Sequence, residues 1–173
     1  WTTGALPLEE NVTGEIVHSP SRAWMGWDDT ALYVAFSNPV NAITPMALDT
    51  VWGKSESVEI ALRRAGEKTR GATVLRGFAK GPFKATGDAG LDDEGVRKAA
   101  EGVQYAAKPL GASLWTCEWR IPFKSLGLNS ATDRSLWGNL TVRKVADNLW
   151  VMWAGTEGYS FDVQNAGRLE LVE

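Results

Sequence analysis

The chain has 173 residues, 18 basic and 21 acidic, for a net charge of −3, a length that suits one domain with a sizeable core. The near balance of charge, with no long block of one sign, argues against nucleic acid, which calls for a basic stripe. No apolar run approaches the roughly 18 residues of a membrane-spanning helix.

Short apolar or alternating runs, separated by Gly, Asn, Asp and Pro, set out the predicted elements in order. Strands are expected over residues 22–27 and 32–38, joined by a tight turn at DDT, residues 28–30. Strands over 57–62 and 72–79 follow. DDEGVRKAAEG, residues 92–102, predicts a brief helix inside a long loop. Strands come next over 104–109 and 114–121, then one short helical turn in IPFKSLGL, residues 121–128, started by Pro122 and ended by Gly127. Strands over 136–145 and 149–153 form a hairpin with Asp147 and Asn148 at its tip, and a last strand covers 167–172. No internal repeat or linker interrupts the series. The pattern predicts an all-β fold: a jelly-roll or immunoglobulin-like β-sandwich of two antiparallel sheets with at most one or two short helical turns, spanning residues 1–173 as a single domain. A start on Trp1 rather than Met is expected of a mature module excised from a larger protein.

Alternation assigns faces. In the 57–62 strand Val58, Ile60 and Leu62 share the core face, which turns Glu59 outward. In LWGNLTVRKV, residues 136–145, Leu136, Leu140 and Val142 face the core, and Trp137, Asn139, Thr141 and Arg143 face outward together. A sheet face carrying Glu, Asn and Arg, beside a tryptophan in the preceding loop, is a polar platform with an aromatic wall. The same residues also suit an ordinary cross-strand polar ladder.

Tryptophan is abundant, with nine in the chain, and a residue so large is rarely fully buried. Trp24, Trp27, Trp115 and Trp119 are expected in the core. Cys117, at period two between Trp115 and Trp119, is expected to be a buried thiol, and as the only cysteine it forms no internal disulfide.

Catalytic hardware is scarce. His18 is the only histidine, and no nucleophile elbow lies near it. One His and one Cys cannot make a zinc site, and GKS, residues 53–55, lacks the upstream glycine of a phosphate loop. A glycosidase needs only two carboxylates. Glu56, Glu59 and Glu118 are available, but such enzymes usually need a larger scaffold. The carboxylates of DAGLDDEG, residues 88–95, suit a solvated loop better than a calcium site, and their spacing is not that of an EF-hand.

Five segments in order resemble family 9 carbohydrate-binding modules, β-sandwiches attached to xylanases and other secreted polysaccharide-active enzymes. They are MGWDDTALYVAFSN (25–38), VWGKSESVEIAL (51–62), WTCEWRIPFKSLGL (115–128), WGNLTVRK (137–144) and VMWAGTEGYSFDVQNAGRLEL (151–171). The resemblance implies a non-catalytic module in which two tryptophans sandwich a sugar ring of a plant or microbial polysaccharide such as xylan or cellulose. It places Trp52 as one wall and Trp153 as the other, with Trp150 as the rival for the second. Glu59, Asn139 and Arg143, with Arg76 beside them, fall where the family's polar contacts to sugar hydroxyls lie. The spacing from Trp52 to Glu59 is one residue longer than the usual pattern. The resemblance further implies a secreted bacterial protein, extracellular or at the cell surface, monomeric, covalently linked to a catalytic domain and requiring no cofactor. Structural calcium is an option in the family, but no ligand set is matched here. Two alternatives stay open: a related haem-binding (DOMON-like) sandwich using His18 with Met25, Met46 or Met152, and an interaction domain whose sugar site has decayed.

Overall fold

The computed structural model describes residues 4–42, 45–129 and 131–172; Trp1 lies outside the described residues. Eleven strands occur among them: β1 (Leu6–Glu10), β2 (Ile16–Trp27), β3 (Ala31–Pro39), β4 (Ser57–Arg64), β5 (Thr73–Phe78), β6 (Phe83–Thr86), β7 (Gln104–Pro109), β8 (Leu114–Pro122), β9 (Ser135–Lys144), β10 (Leu149–Met152) and β11 (Gly167–Glu170). One α-helix, α1 (Asp93–Ala100), and a 3-10 turn at Val163–Asn165 complete the set. The expected all-β sandwich is present. The helix begins where the sequence places it, because Asp92 Oδ1 accepts the amide of Gly95 and caps the first turn. The segment 123–127 is a run of turns rather than a helix.

Every pairing is antiparallel. One sheet runs β6-β5-β4-β9, with β10 and β11 both along the far side of β9; the other runs β1-β2-β3-β8-β7. A single residue pair, Glu10 with Met152, joins β1 to β10 and makes the two sheets one continuous path. β1 and β6 were not expected from the sequence, since each is short and weakly alternating.

The core lies between the sheets. Val58, Ile60 and Leu62 from β4 and Leu136, Leu140 and Val142 from β9 meet Leu32, Val34 and Phe36 from β3 and Trp115, Cys117, Trp119 and Ile121 from β8. Each buried aliphatic side chain here contributes about 1.5–3 kcal/mol. Gly77 lets the far ends of the sheets close, since a Cβ there would lie 2.5 Å from the rings of Trp119 and Tyr105. Trp115 and Trp119 are core, as expected, and burial raises the Cys117 thiol pKa well above its usual range. Trp27 packs on the core only in part. Trp24 is half-buried and alternates with fully buried Ala23, which puts it on the outer face of β2 and corrects its assignment to the core.

The outer face of the first sheet is also covered. Ala61, Ala72, Val74 and Val163 form a second small cluster with Trp137 and Phe161 packed on it. The segment after β10 folds back over β4 and β9, so β4 is buried on both faces for most of its length.

Candidate functional site

Register fixes what the outer face of the first sheet presents. Arg76, Glu59, Thr141 and Met152 form one row across β5, β4, β9 and β10. A neighbouring row holds Ser57, Arg143 and Trp150, and the row on the other side holds Val74, Ala61 and Asn139. A cleft of about 640 Å³ opens over this face, lined by Trp52, Arg76, Asp88, Trp150, Tyr159 and Phe161 among others.

The charged floor is tied together. Arg76 Nε donates to Glu59 Oε2 at 2.7 Å and Nη1 donates to Asp88 Oδ2 at 2.6 Å. The Ser160 hydroxyl donates to Glu59 Oε1 at 2.5 Å. Glu59 is 1 % exposed. Burial raises its carboxyl pKa, and the Ser160 hydroxyl and the Arg76 guanidinium pull the other way. Glu59 therefore sits beneath the cleft and orients Arg76 and Ser160, which do line it.

Two indoles make one wall. Arg76 lies over Trp52, 4.5 Å from the ring centroid, and Arg143 over Trp150 at 5.2 Å. The two rings meet edge to face, centroids 5.2 Å apart and planes at 68°. A pyranose between parallel rings needs roughly 7–8 Å, two van der Waals contacts of about 3.5–4 Å. These indoles touch each other instead and form a corner against which a ring can rest. The other bank is the segment 158–161, where Tyr159 and Phe161 stack at 5.1 Å with planes 3° apart.

Several expected contacts take other places. Trp153 does not line the cleft: it packs against the core cluster and over Gly167, where a Cβ would lie 2.2 Å from its ring. Trp150 and Met152 point outward from β10, so Trp153, at odd spacing from Trp150, turns inward. Asn139, 1 % exposed, donates to the carbonyls of Ala154 and Ser160, both at 3.1 Å, and accepts the amide of Ala154. Arg143 donates to the carbonyls of Gly53 (3.0 Å) and Leu149 (3.0 Å) and to Asn148 Oδ1 (3.2 Å). Asn139 thus pins the returning segment, and Arg143 pins the Trp52 loop to the β9–β10 hairpin. Trp52, Trp150 and Arg76 are brought together in the cleft; Glu59, Asn139 and Arg143 support its walls.

Asp88, Tyr159, Ser160 and Phe161 were missed by sequence reasoning. Alternation describes strands, and these residues stand on loops. The only signal was their place inside DAGLDDEG and in the closing segment.

The other candidates are dispersed. Glu118 is exposed on β8 of the opposite sheet, while Glu56 is buried and accepts the amide of Ala146 at 2.8 Å. The acidic loop does not converge on one point: Asp88 pairs with Arg76, Asp92 caps α1, and Glu94 pairs with Arg97 and Lys98. Among the described residues no three His, Cys, Asp or Glu side chains gather as a metal site. His18 is exposed on β2, and Met25 lies seven residues further along the same strand. That is ~23 Å at 3.3 Å per residue, too far for both to ligate one iron. Met46 packs on the core, and Met152 lies under the cleft.

No protein-family model matches the chain, and no curated protein matches it. Solved structures do. A family 9 carbohydrate-binding module from Caldicellulosiruptor kristjanssonii, in complex with cellotriose, superposes with a TM-score of 0.62 at 15 % identity, covering 95 % of this chain and 80 % of that one. The same kind of module from that organism, in complex with glucose, gives 0.59 at 15 % identity, over 95 % and 82 %. A candidate carbohydrate-binding protein from Bacteroides uniformis gives 0.62 at 12 % identity, over 96 % and 85 %. The fold is that of the family 9 carbohydrate-binding modules.

Proposed function

We propose that the chain is a non-catalytic carbohydrate-binding module that holds a pyranose ring in the cleft between the Trp52–Trp150 corner and the 158–161 segment. The observation that carries this reading is the juxtaposition itself: indole faces beside an oriented guanidinium, a half-exposed carboxylate and a hydroxyl, all in one cleft. A pyranose presents C–H faces that rest on indole and hydroxyls that need directed partners. Arg76 Nη1 and Nε are held by acids, and Nη2 has no protein partner among the described residues, so a sugar oxygen can take it. Asp88 and Ser160 accept from sugar hydroxyls. The similarity to modules solved with cellotriose and glucose supports a sugar as ligand.

Aromatic contact contributes about 0.5–1.5 kcal/mol beyond area burial, and each shielded hydrogen bond to a charged group about 1.5–3 kcal/mol. Gains of this size, set against the cost of association, point to weak binding in the millimolar to ten-micromolar range, roughly −4 to −7 kcal/mol. That is adequate for a module tethered to an enzyme acting on an extracellular polysaccharide, where effective concentration adds the rest. On this reading Trp150, not Trp153, is the second aromatic contact.

Calorimetric titration with gluco-, xylo- and manno-oligosaccharides tests the proposal. At least one series should bind, and Trp52→Ala and Trp150→Ala should each weaken it at least roughly fivefold. Absence of binding across all series, or binding indifferent to both substitutions in folded protein, defeats it.

A further inference from the structure

One proton sets what the cleft can ask of a ligand. A serine hydroxyl has a single proton and two lone pairs, and Ser160 Oγ donates that proton to Glu59 Oε1 at 2.5 Å. The backbone of Ser160 is held where this bond forms, since its carbonyl accepts from Asn139 Nδ2 at 3.1 Å. Thr141, beside Glu59 on β9, does not compete: among the described residues its Oγ1 makes no hydrogen bond.

Glu59 takes the proton as an anion. Its other oxygen accepts from Arg76 Nε at 2.7 Å, and both side chains are buried. Burial raises the Glu59 pKa, with the Ser160 hydroxyl and Arg76 opposing it. The guanidinium cannot shed its own charge, and a neutral Glu59 would leave it buried with half-exposed Asp88 as its one counter-charge, the costly state for a buried pair. An ionised carboxylate only accepts, so the Ser160 proton is committed. The side chains that line the polar part of the cleft then form a hydrogen-bonded series of fixed sense: Ser160 accepts from a ligand, Arg76 donates to it, and Asp88 accepts from it.

We propose that Glu59 is a positioning residue that fixes the hydrogen-bond direction at Ser160, so that the cleft takes rings whose hydroxyls opposite Ser160 and Asp88 are both free, and refuses rings etherified or acylated at either. This rests on the reading of the cleft as the sugar site. A free hydroxyl both donates and accepts, so it suits all three positions. An ether or ester oxygen only accepts, and at either flank it sets acceptor against acceptor. A site built to bond a hydroxyl discriminates strongly against a ligand that lacks it, because its own polar groups are left unpaired. An acylated polysaccharide becomes a ligand only after hydrolysis of the ester has freed those positions.

Deoxyfluoro sugars test the direction, since fluorine is close to hydroxyl in size, accepts weakly and donates nothing. Calorimetry compares methyl β-cellobioside and methyl β-xylobioside with their monodeoxy and monodeoxyfluoro derivatives, on wild type, Ser160→Ala, Glu59→Gln and Trp52→Ala. The ring position whose penalties vanish in Ser160→Ala is the one that meets Ser160. There the deoxy compound should bind wild type roughly three- to tenfold more weakly than its parent, and the fluoro compound no better than the deoxy. In Glu59→Gln the new amide donates to Ser160 Oγ while its carbonyl stays on Arg76. The serine proton then turns to the ligand, and the fluoro compound should bind at least about twofold better than the deoxy. Fluoro above deoxy in wild type overturns the proposal without recourse to the Glu59 variant, and so does an unchanged ranking in folded Glu59→Gln. If no position responds to Ser160→Ala, the serine does not touch the ligand and the inference falls, while the sugar-site reading stands as long as Trp52→Ala weakens the parent. If neither parent glycoside binds, both fall.

Discussion

The most demanding prediction concerns Lys144, the last residue of β9. Its side chain is fully buried, yet it carries a full charge among main-chain oxygens. Nζ donates to the carbonyls of Ser19 (2.7 Å), Pro20 (3.0 Å) and Pro39 (2.7 Å), and to Ser19 Oγ (3.2 Å). Ser19 Oγ in turn donates to Asp147 Oδ2 at 3.1 Å, and Asp147 Oδ1 accepts the amide of Asn41 at 2.8 Å. One ammonium thus ties the end of β9 in the first sheet to β2 and β3 in the second. Lys144→Met keeps the aliphatic stem and leaves three buried carbonyls without their donor. Each lost bond costs about 1–1.5 kcal/mol with its desolvation, and Asp147 loses a nearby cation. The expected loss is about 3–5 kcal/mol, in line with removing one partner from a buried charge network. For a domain of this size that is roughly 6–20 °C in Tm. Urea unfolding followed by tryptophan fluorescence reads it directly. A loss below about 1 kcal/mol would mean that water replaces the ammonium without penalty, and the account of a closed oxygen cage would be wrong.

Three further outcomes are expected. Burial pulls the Lys144 ammonium down to about 8, against the opposing charges of Asp147 and Glu56. An unfolded chain holds that proton up to about 10.4, so between these values the unfolded state binds more protons and wild-type stability rises with pH, by up to a few kcal/mol; Lys144→Met should lack that rise in urea titrations at pH 7.5, 9 and 10.5. Trp153→Ala should cost roughly 2–4 kcal/mol by emptying a half-buried packing site while leaving the dissociation constant of a bound oligosaccharide within about twofold; a collapse of binding in folded protein would return Trp153 to the site. Asn139→Ala removes the bonds to the Ala154 and Ser160 carbonyls, so hydrogen exchange at residues 154–160 should speed up and ligand affinity should fall, although Asn139 does not line the cleft; unchanged exchange there would show that other contacts hold the segment.

The strand inventory was legible because it depends on local periodicity. Val58, Ile60 and Leu62 alternate cleanly, and so do Trp115, Cys117 and Trp119, so the core-facing side of β4 and β8 could be read directly. β1 and β6 were not legible. Each is four or five residues long, and each is stabilised by partners distant in sequence or by a neighbouring hairpin rather than by its own pattern. The direction of Glu59, Asn139 and Arg143 was also legible, since all three leave the core face. Their burial was not. Period two says which side of the sheet a residue takes and nothing about what later folds over that side. The segment 154–166 does so over Glu59 and Asn139, and the Trp52 loop does so over Arg143, which converts three outward polar residues into anchors. The choice between Trp150 and Trp153 turned on which strand face is outward at the end of β10, a register that only the pairing of Trp150 with Arg143 settles.

That conversion bears on how such a cleft can bind at all. A long side chain that must be immobilised by a ligand costs about 0.5–1.5 kcal/mol of rotamer freedom on binding. Arg76 is 8 % exposed and held by Glu59, by Asp88 and beneath the Trp52 ring, so its ordering belongs to folding rather than to ligand capture. Arg143 does the same for the Trp52 loop through Gly53, and Asn139 and Glu59 do it for the opposite bank through Ser160. The buried polar residues therefore act on affinity without touching the ligand, by presenting indoles, guanidinium and hydroxyl in place before it arrives.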